Sequence, residues 1–115
     1  MTRTLPVFAL ILAAAAAVPQ ARGAADISGA MTGEYLAQCQ RDRNACQDFT
    51  NQVLQVLTAA ARLGQGKLYK GCAPVPLGPD ETGQLIQWML SRPQQATGYA
   101  ADDIGTAAEA LWPCR

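Results

Sequence analysis

Four side chains in this sequence are equipped for covalent chemistry: Cys39, Cys46, Cys72 and Cys114. A thiolate can attack, hold a metal or pair with another sulfur, and spacing decides among these. Six, twenty-five and forty-one residues intervene. That spacing contains neither the C-x-x-C of a thioredoxin-type redox site nor the close cysteine pairs of a zinc site. The chain has no histidine, which removes the usual general base, the commonest zinc ligand and every Ser-His or Cys-His arrangement. The sequence therefore predicts no catalytic residue, no metal and no cofactor. An even cysteine count in a short exported chain favours two disulfides instead.

The remaining polar candidates read as follows. Asp80–Glu81 and Asp102–Asp103 are adjacent pairs whose side chains point apart, as expected of helix caps and first-turn charges rather than of a catalytic dyad. The "GQGK" at Gly64–Lys67 lacks the glycine spacing and the following Ser or Thr of a phosphate loop. Lys67, Tyr69 and Lys70 are then loop residues available to a partner. Trp88 falls off its helix's apolar face and is expected at the core edge or at an interface. Trp112 is expected to close the core beside Cys114.

Export is read from the other end. Arg3 precedes the apolar run Leu5–Val18, which is too short for the roughly 20 residues that span a bilayer. Pro19 follows, then Ala21-x-Gly23 and Gly23-x-Ala25 offer small-x-small cleavage signals. These features predict a secretory signal peptide over 1–25 and a single domain over 26–115. Of the 9 basic residues Arg3 and Arg22 leave with the leader, so 7 basic and 9 acidic residues remain, a formal charge of −2. Such a chain carries no basic field for nucleic acid or an acidic membrane surface, and its leader predicts export.

Helical periods dominate the mature part. The first helix begins near Thr32, carries Tyr35, Leu36 and Cys39 on one face, and stops in "QRDRN". The second runs from Asn44 to Leu63 with a stripe of Cys46, Phe49, Val53, Val56, Leu57, Ala60 and Leu63, and Gly64 ends it. The stretch Gly64–Pro79, rich in glycine and proline, must be a loop. Asp80 or Thr82 then caps a third helix with Leu85, Ile86, Met89 and Leu90 inward, closed at Pro93. "QQATGYAA" leads to a fourth helix over Ala101–Leu111, with Ile104, Ala107, Ala108 and Leu111 on one side. The expected fold is all-α: a small disulfide-stapled four-helix domain made of two helical hairpins. Cys39 ends one helix where Cys46 opens the next, and Cys72 precedes the third helix while Cys114 follows the fourth. Antiparallel packing therefore favours Cys39–Cys46 and Cys72–Cys114 among the three pairings that sequence allows.

Against these residues a family resemblance can be stated. Gly33-x-Tyr35-Leu36-x-x-Cys39, then Cys46 with Phe49, "GCAPVP" at Gly71–Pro76, the Leu85–Leu90 helix closing at Pro93, and "AEALWPC" at Ala108–Cys114 resemble the Tai/Rap group of periplasmic immunity proteins. "FTNQ" stands where that pattern has a glycine soon after the helix-two aromatic residue. The resemblance implies a non-enzymatic protein that binds and inhibits a toxic type VI secretion effector, several of which are cell-wall amidases. The alternative reading is a stress chaperone similar to the small all-helical acid-protective proteins of that compartment, which release apolar surface when carboxylates protonate, an opening that two disulfides would restrain. The expected partner is thus a protein, with a second copy of the chain also open. Two loops suit insertion into an enzyme cleft: Gly66–Gly71, offering Lys67, Tyr69 and Lys70, and Ser91–Tyr99, offering Arg92 and Tyr99.

Overall fold

Several element boundaries trace to a residue that ends or permits a helix: Asp42, Gly64, Gly78 and Pro93. A computed structural model describes residues 29–64 and 69–114. The signal-peptide expectation and Lys67 lie outside the described residues. Among the described residues four α-helices follow in order: α1 over Thr32–Arg41, α2 over Arg43–Arg62, α3 over Pro79–Ser91 and α4 over Ala100–Leu111. A 3-10 turn at Pro93–Gln95 links α3 to α4. This is the all-α domain that the periodicity predicts, with each helix starting or ending within a residue or so of its expected place.

The α1–α2 corner is a single extended residue, Asp42, whose carboxylate accepts a hydrogen bond from the Ala45 amide at 3.1 Å and so caps α2. Gly64 follows α2 with φ of +74°, the left-handed stop that glycine supplies without strain. At α3 the expectation needs correction. Neither Asp80 nor Thr82 caps it; Gly78 does, with Pro79 in the first turn and Glu81 reaching back to the Gly78 amide at 2.8 Å. Thr82 is instead fully buried.

α1 packs chiefly on α2, and α3 on α4, so the two hairpins are present; α4 also touches α1 and α2. Leu54, Leu77, Leu85 and Ile104 are fully buried at the centre, with Ala100, Ala107 and Ala108 giving α4 a small-residue face. Three positions expected inside are outside: Val56, Leu63 and Leu90 are 54%, 73% and 44% exposed. Leu54 and Thr50 take the buried places on α2 instead. Thr50 is tolerated there because its hydroxyl donates to the Cys46 carbonyl at 2.7 Å. That uses its single proton, so the Tyr35 hydroxyl, at 2.6 Å, is the donor to Thr50. Burial pushes the Tyr35 phenol up to about 12, despite the Thr50 hydroxyl and the Arg43 charge acting the other way.

Both disulfides join the expected partners. Cys39 and Cys46 sit 4.7 Å apart at Cα across the α1–α2 corner, and Cys72 and Cys114 4.9 Å apart, closing the α3–α4 hairpin. The first is buried and the second exposed. Each bridge lies within one hairpin, so the seam between hairpins depends on packing and hydrogen bonds. One such tie is Asn51 on α2, whose side chain both donates to the Leu77 carbonyl and accepts from the Leu77 amide, at 3.1 and 2.6 Å.

Candidate functional site

The last turn of α3 sets Trp88 and Arg92 four residues apart, which on a helix is one face. Pro93 cannot continue the helix, so Arg92 becomes its C-cap, with its amide donating to the Met89 carbonyl at 3.3 Å. The guanidinium carbon stands 4.6 Å from the Trp88 ring centroid, a cation–π distance. Its Nη1 donates to Ser91 Oγ at 3.0 Å, and Ser91 Oγ in turn donates to the Trp88 carbonyl at 2.9 Å. Indole, hydroxyl and guanidinium therefore hold one another in place.

This pair forms a ridge between two concavities. On one side lies a largely apolar groove of about 300 Å³, lined by Leu36 of α1, Trp88, Met89 and Leu90 of α3, and Pro93 and Ala96 of the link to α4. On the other is a more open depression bordered by Gly83, Gln84, Gln87 and Leu111.

The groove's far wall is built where α1 and α4 begin side by side. The Thr32 amide donates to the Gly98 carbonyl at 2.9 Å and the Ala100 amide to the Ala30 carbonyl at 3.0 Å, pairing the two starts as a short antiparallel bridge at Met31 and Tyr99. Gly98 makes this geometry with φ of +99°. Asp103, one turn into α4, locks the wall. Its Oδ2 accepts from the Thr32 hydroxyl at 2.5 Å, and its Oδ1 accepts from the Thr97 amide at 2.8 Å and the Thr97 hydroxyl at 2.9 Å. Burial opposes the charge of this carboxyl, but the bonds from Thr32, Thr97 and Gly98 outweigh it and hold its pKa below the ordinary value.

The expected binding residues divide into separate places. Trp88 and Arg92 are brought into contact, and the exposed Tyr99, at 52%, neighbours groove-lining Gly98. Lys70 is elsewhere: its amide donates to Glu109 Oε2 at 2.9 Å in the last turn of α4. Glu109 stands ten residues beyond Tyr99, about 15 Å along the helix. Lys70 and Tyr99 therefore lie at opposite ends of α4. Tyr69 must be corrected outright, since it is only 7% exposed and belongs to the core rather than to a projecting loop. Its hydroxyl is buried without a well-formed hydrogen bond, and burial raises its pKa, as does Glu109, against the polar groups of Ala73 and Thr58 facing it.

Sequence reasoning missed Asp103, which reads as first-turn charge because its partner Thr32 is 71 residues away. Thr97, six residues before it, is the nearest sequence signal. Among the described residues no three cysteine or carboxylate side chains converge as a metal site would require, and no helix is long and apolar enough to cross a membrane. No protein-family model, curated protein or solved structure matches the chain.

Proposed function

We propose that this chain is an exported, non-enzymatic binding protein that recognises another protein and inhibits it, in the manner of periplasmic immunity proteins acting on amidase-type type VI effectors. The observation that carries the reading is the Trp88–Arg92 ridge, a pre-positioned aromatic–arginine pair beside an apolar groove. Tryptophan and arginine dominate interface energetics because each brings a large surface with few degrees of freedom left to freeze on binding. The frame beneath is fastened by two disulfides and the Asp103 lock. The family and compartment rest on the motif resemblance, from Gly33-x-Tyr35 to the terminal Trp112-Pro113-Cys114.

One observation favours the second reading, an acid-responsive chaperone: a buried carboxylate fastens α1 to α4 across a seam that no disulfide crosses. Affinity capture separates the two. The oxidised protein, immobilised at neutral pH against periplasmic and secreted fractions, is expected to retain one stoichiometric hydrolase whose activity falls on binding. A diverse set retained only in acid overturns the inhibitor reading in favour of the chaperone.

A further inference from the structure

Charge is distributed unevenly around the two concavities. Asp103 lines the groove, yet its oxygens already accept three hydrogen bonds from Thr32 and Thr97 and it is 5% exposed, so its charge is used internally. Arg92 is different. A guanidinium has five N–H donors; here Nη1 donates to Ser91 Oγ and the guanidinium carbon stacks on the Trp88 ring. A second arginine borders the other concavity: Arg43 Nη1 lies 3.4 Å from where a Cβ on Gly83 would stand, and Gly83 lines the open depression. The surface thus offers an apolar groove, a guanidinium on the ridge and a guanidinium beside the depression, in a chain whose mature formal charge is negative.

We propose that the groove and ridge form a docking site for an acidic–apolar segment of a partner protein, with a large apolar side chain in the groove and an Asp or Glu carboxylate on Arg92, the segment continuing past the ridge toward Arg43. A groove of about 300 Å³ is at the lower limit of small-molecule sites, enough for one or two side chains. The carboxylate belongs to a side chain rather than to a chain terminus because the surface remains concave on both sides of the ridge, leaving room for the partner to run on. Carboxylate and guanidinium meet in a bidentate fork, the strongest neutralising contact available to Arg92 in its stacked position. This proposal rests on the reading of the chain as a protein-binding module and names the chemistry of what it binds.

Selection of random twelve-residue peptides displayed on phage, against the immobilised disulfide-bonded protein, tests the proposal without the natural partner. Enriched peptides are expected to place Leu, Ile, Phe or Met within three residues of Asp or Glu. The strongest selected peptide, made synthetically, is then titrated against wild type, Arg92→Gln, Arg43→Gln and Leu90→Ala. Arg92→Gln is expected to weaken it about tenfold, the loss of one charged hydrogen-bonding partner. Replacing the peptide's acidic residue by its amide weakens it equally on wild type and has no effect on Arg92→Gln. Leu90 is 44% exposed and lines the groove, so its truncation reads the apolar contact without unfolding the core. No enrichment, enrichment of basic peptides, or unchanged affinity for Arg92→Gln overturns the proposal. Should hydrolase capture fail while these peptides are selected, the inhibitor reading falls and the docking site stands. If a hydrolase is captured but binds the Arg92 and Leu90 variants as tightly as wild type, the docking site falls and the inhibitor reading stands.

Discussion

Asp103→Ala should be among the most destabilising polar substitutions available in this domain. The carboxylate is 5% exposed and accepts three hydrogen bonds at 2.5, 2.8 and 2.9 Å. A hydrogen bond to a charged group contributes about 1.5–3 kcal/mol net, and orphaning a buried donor costs about 1–3. Alanine removes all three bonds and leaves the Thr32 hydroxyl, itself 6% exposed, without its acceptor. Roughly 3–5 kcal/mol is the expected loss, which in a domain of this size lowers Tm by at least about 12 °C. Asp103→Asn keeps the shape, and the Thr32 hydroxyl can turn to accept from the new amide, so about 1–2 kcal/mol is expected.

The pH dependence follows from the direction of the shift. Asp103 has its folded pKa below the unfolded value of 3.8, so its contribution is present above that value and is lost as pH falls through the folded pKa. Urea unfolding at pH 7 and at pH 3, monitored by far-ultraviolet circular dichroism, should therefore show a smaller acid loss for Asp103→Asn than for wild type. A Thr32→Val/Asp103→Asn double-mutant cycle should give a coupling of about 1 kcal/mol or more. An Asp103→Ala protein within about 0.5 kcal/mol of wild type, the range of ordinary surface substitutions, would refute the lock. So would an Asn variant with undiminished acid sensitivity.

The bridges and the tyrosines give further outcomes. Limited reduction followed by alkylation and mass spectrometry should open Cys72–Cys114 first, because that bridge is exposed while Cys39 and Cys46 are buried. Replacing Cys72 and Cys114 together with alanine should cost roughly 4 kcal/mol by loop entropy, while the Cys39/Cys46 pair loses roughly 2.5 from its shorter loop and a further core-truncation cost because both are buried; a loss under about 2 kcal/mol from the exposed Cys72/Cys114 pair contradicts the loop-length argument. Tyr69→Ala should destabilise by about 3–5 kcal/mol as a core truncation, whereas Tyr99→Ala, at 52% exposure, should stay within about 0.5. Thermal melts of the two variants decide this, and a Tyr69→Ala protein as stable as wild type would return Tyr69 to the surface.

Much of this architecture is written in local pattern. Helix periods, the glycine–proline break between Gly64 and Pro79, and cysteines at helix ends specify four helices and their two staples, because each depends on residues close in sequence. What escaped depends on distance. Asp103 and Thr97 are near neighbours, but the value of their contact lies in Thr32 at the far end of the chain. Tyr69 sits in a segment whose composition announces a loop, and only the backbone ties of Lys70, Cys72 and Cys114 show why it turns inward: the Cys72 amide donates to the Trp112 carbonyl at 2.7 Å and the Cys114 amide to the Lys70 carbonyl at 3.4 Å. On α2, an apolar-stripe rule admitted Val56 and Leu63 and passed over Thr50, whose hydroxyl is satisfied by Tyr35 and Cys46. Trp88 and Arg92 were both legible by residue type, but their stacking and the groove beside them depend on where Pro93 stops α3.

The proposed inhibitor function and its location are tested together by hydrogen–deuterium exchange on the oxidised protein with the hydrolase it captures. Ile86–Gly98, spanning the ridge and the groove's α3 wall, should gain protection in the complex, while the Lys70–Glu109 end of α4 should exchange as in the free protein. Protection confined to the Lys70 end, or failure of the protein to retain any single hydrolase at neutral pH, would contradict it.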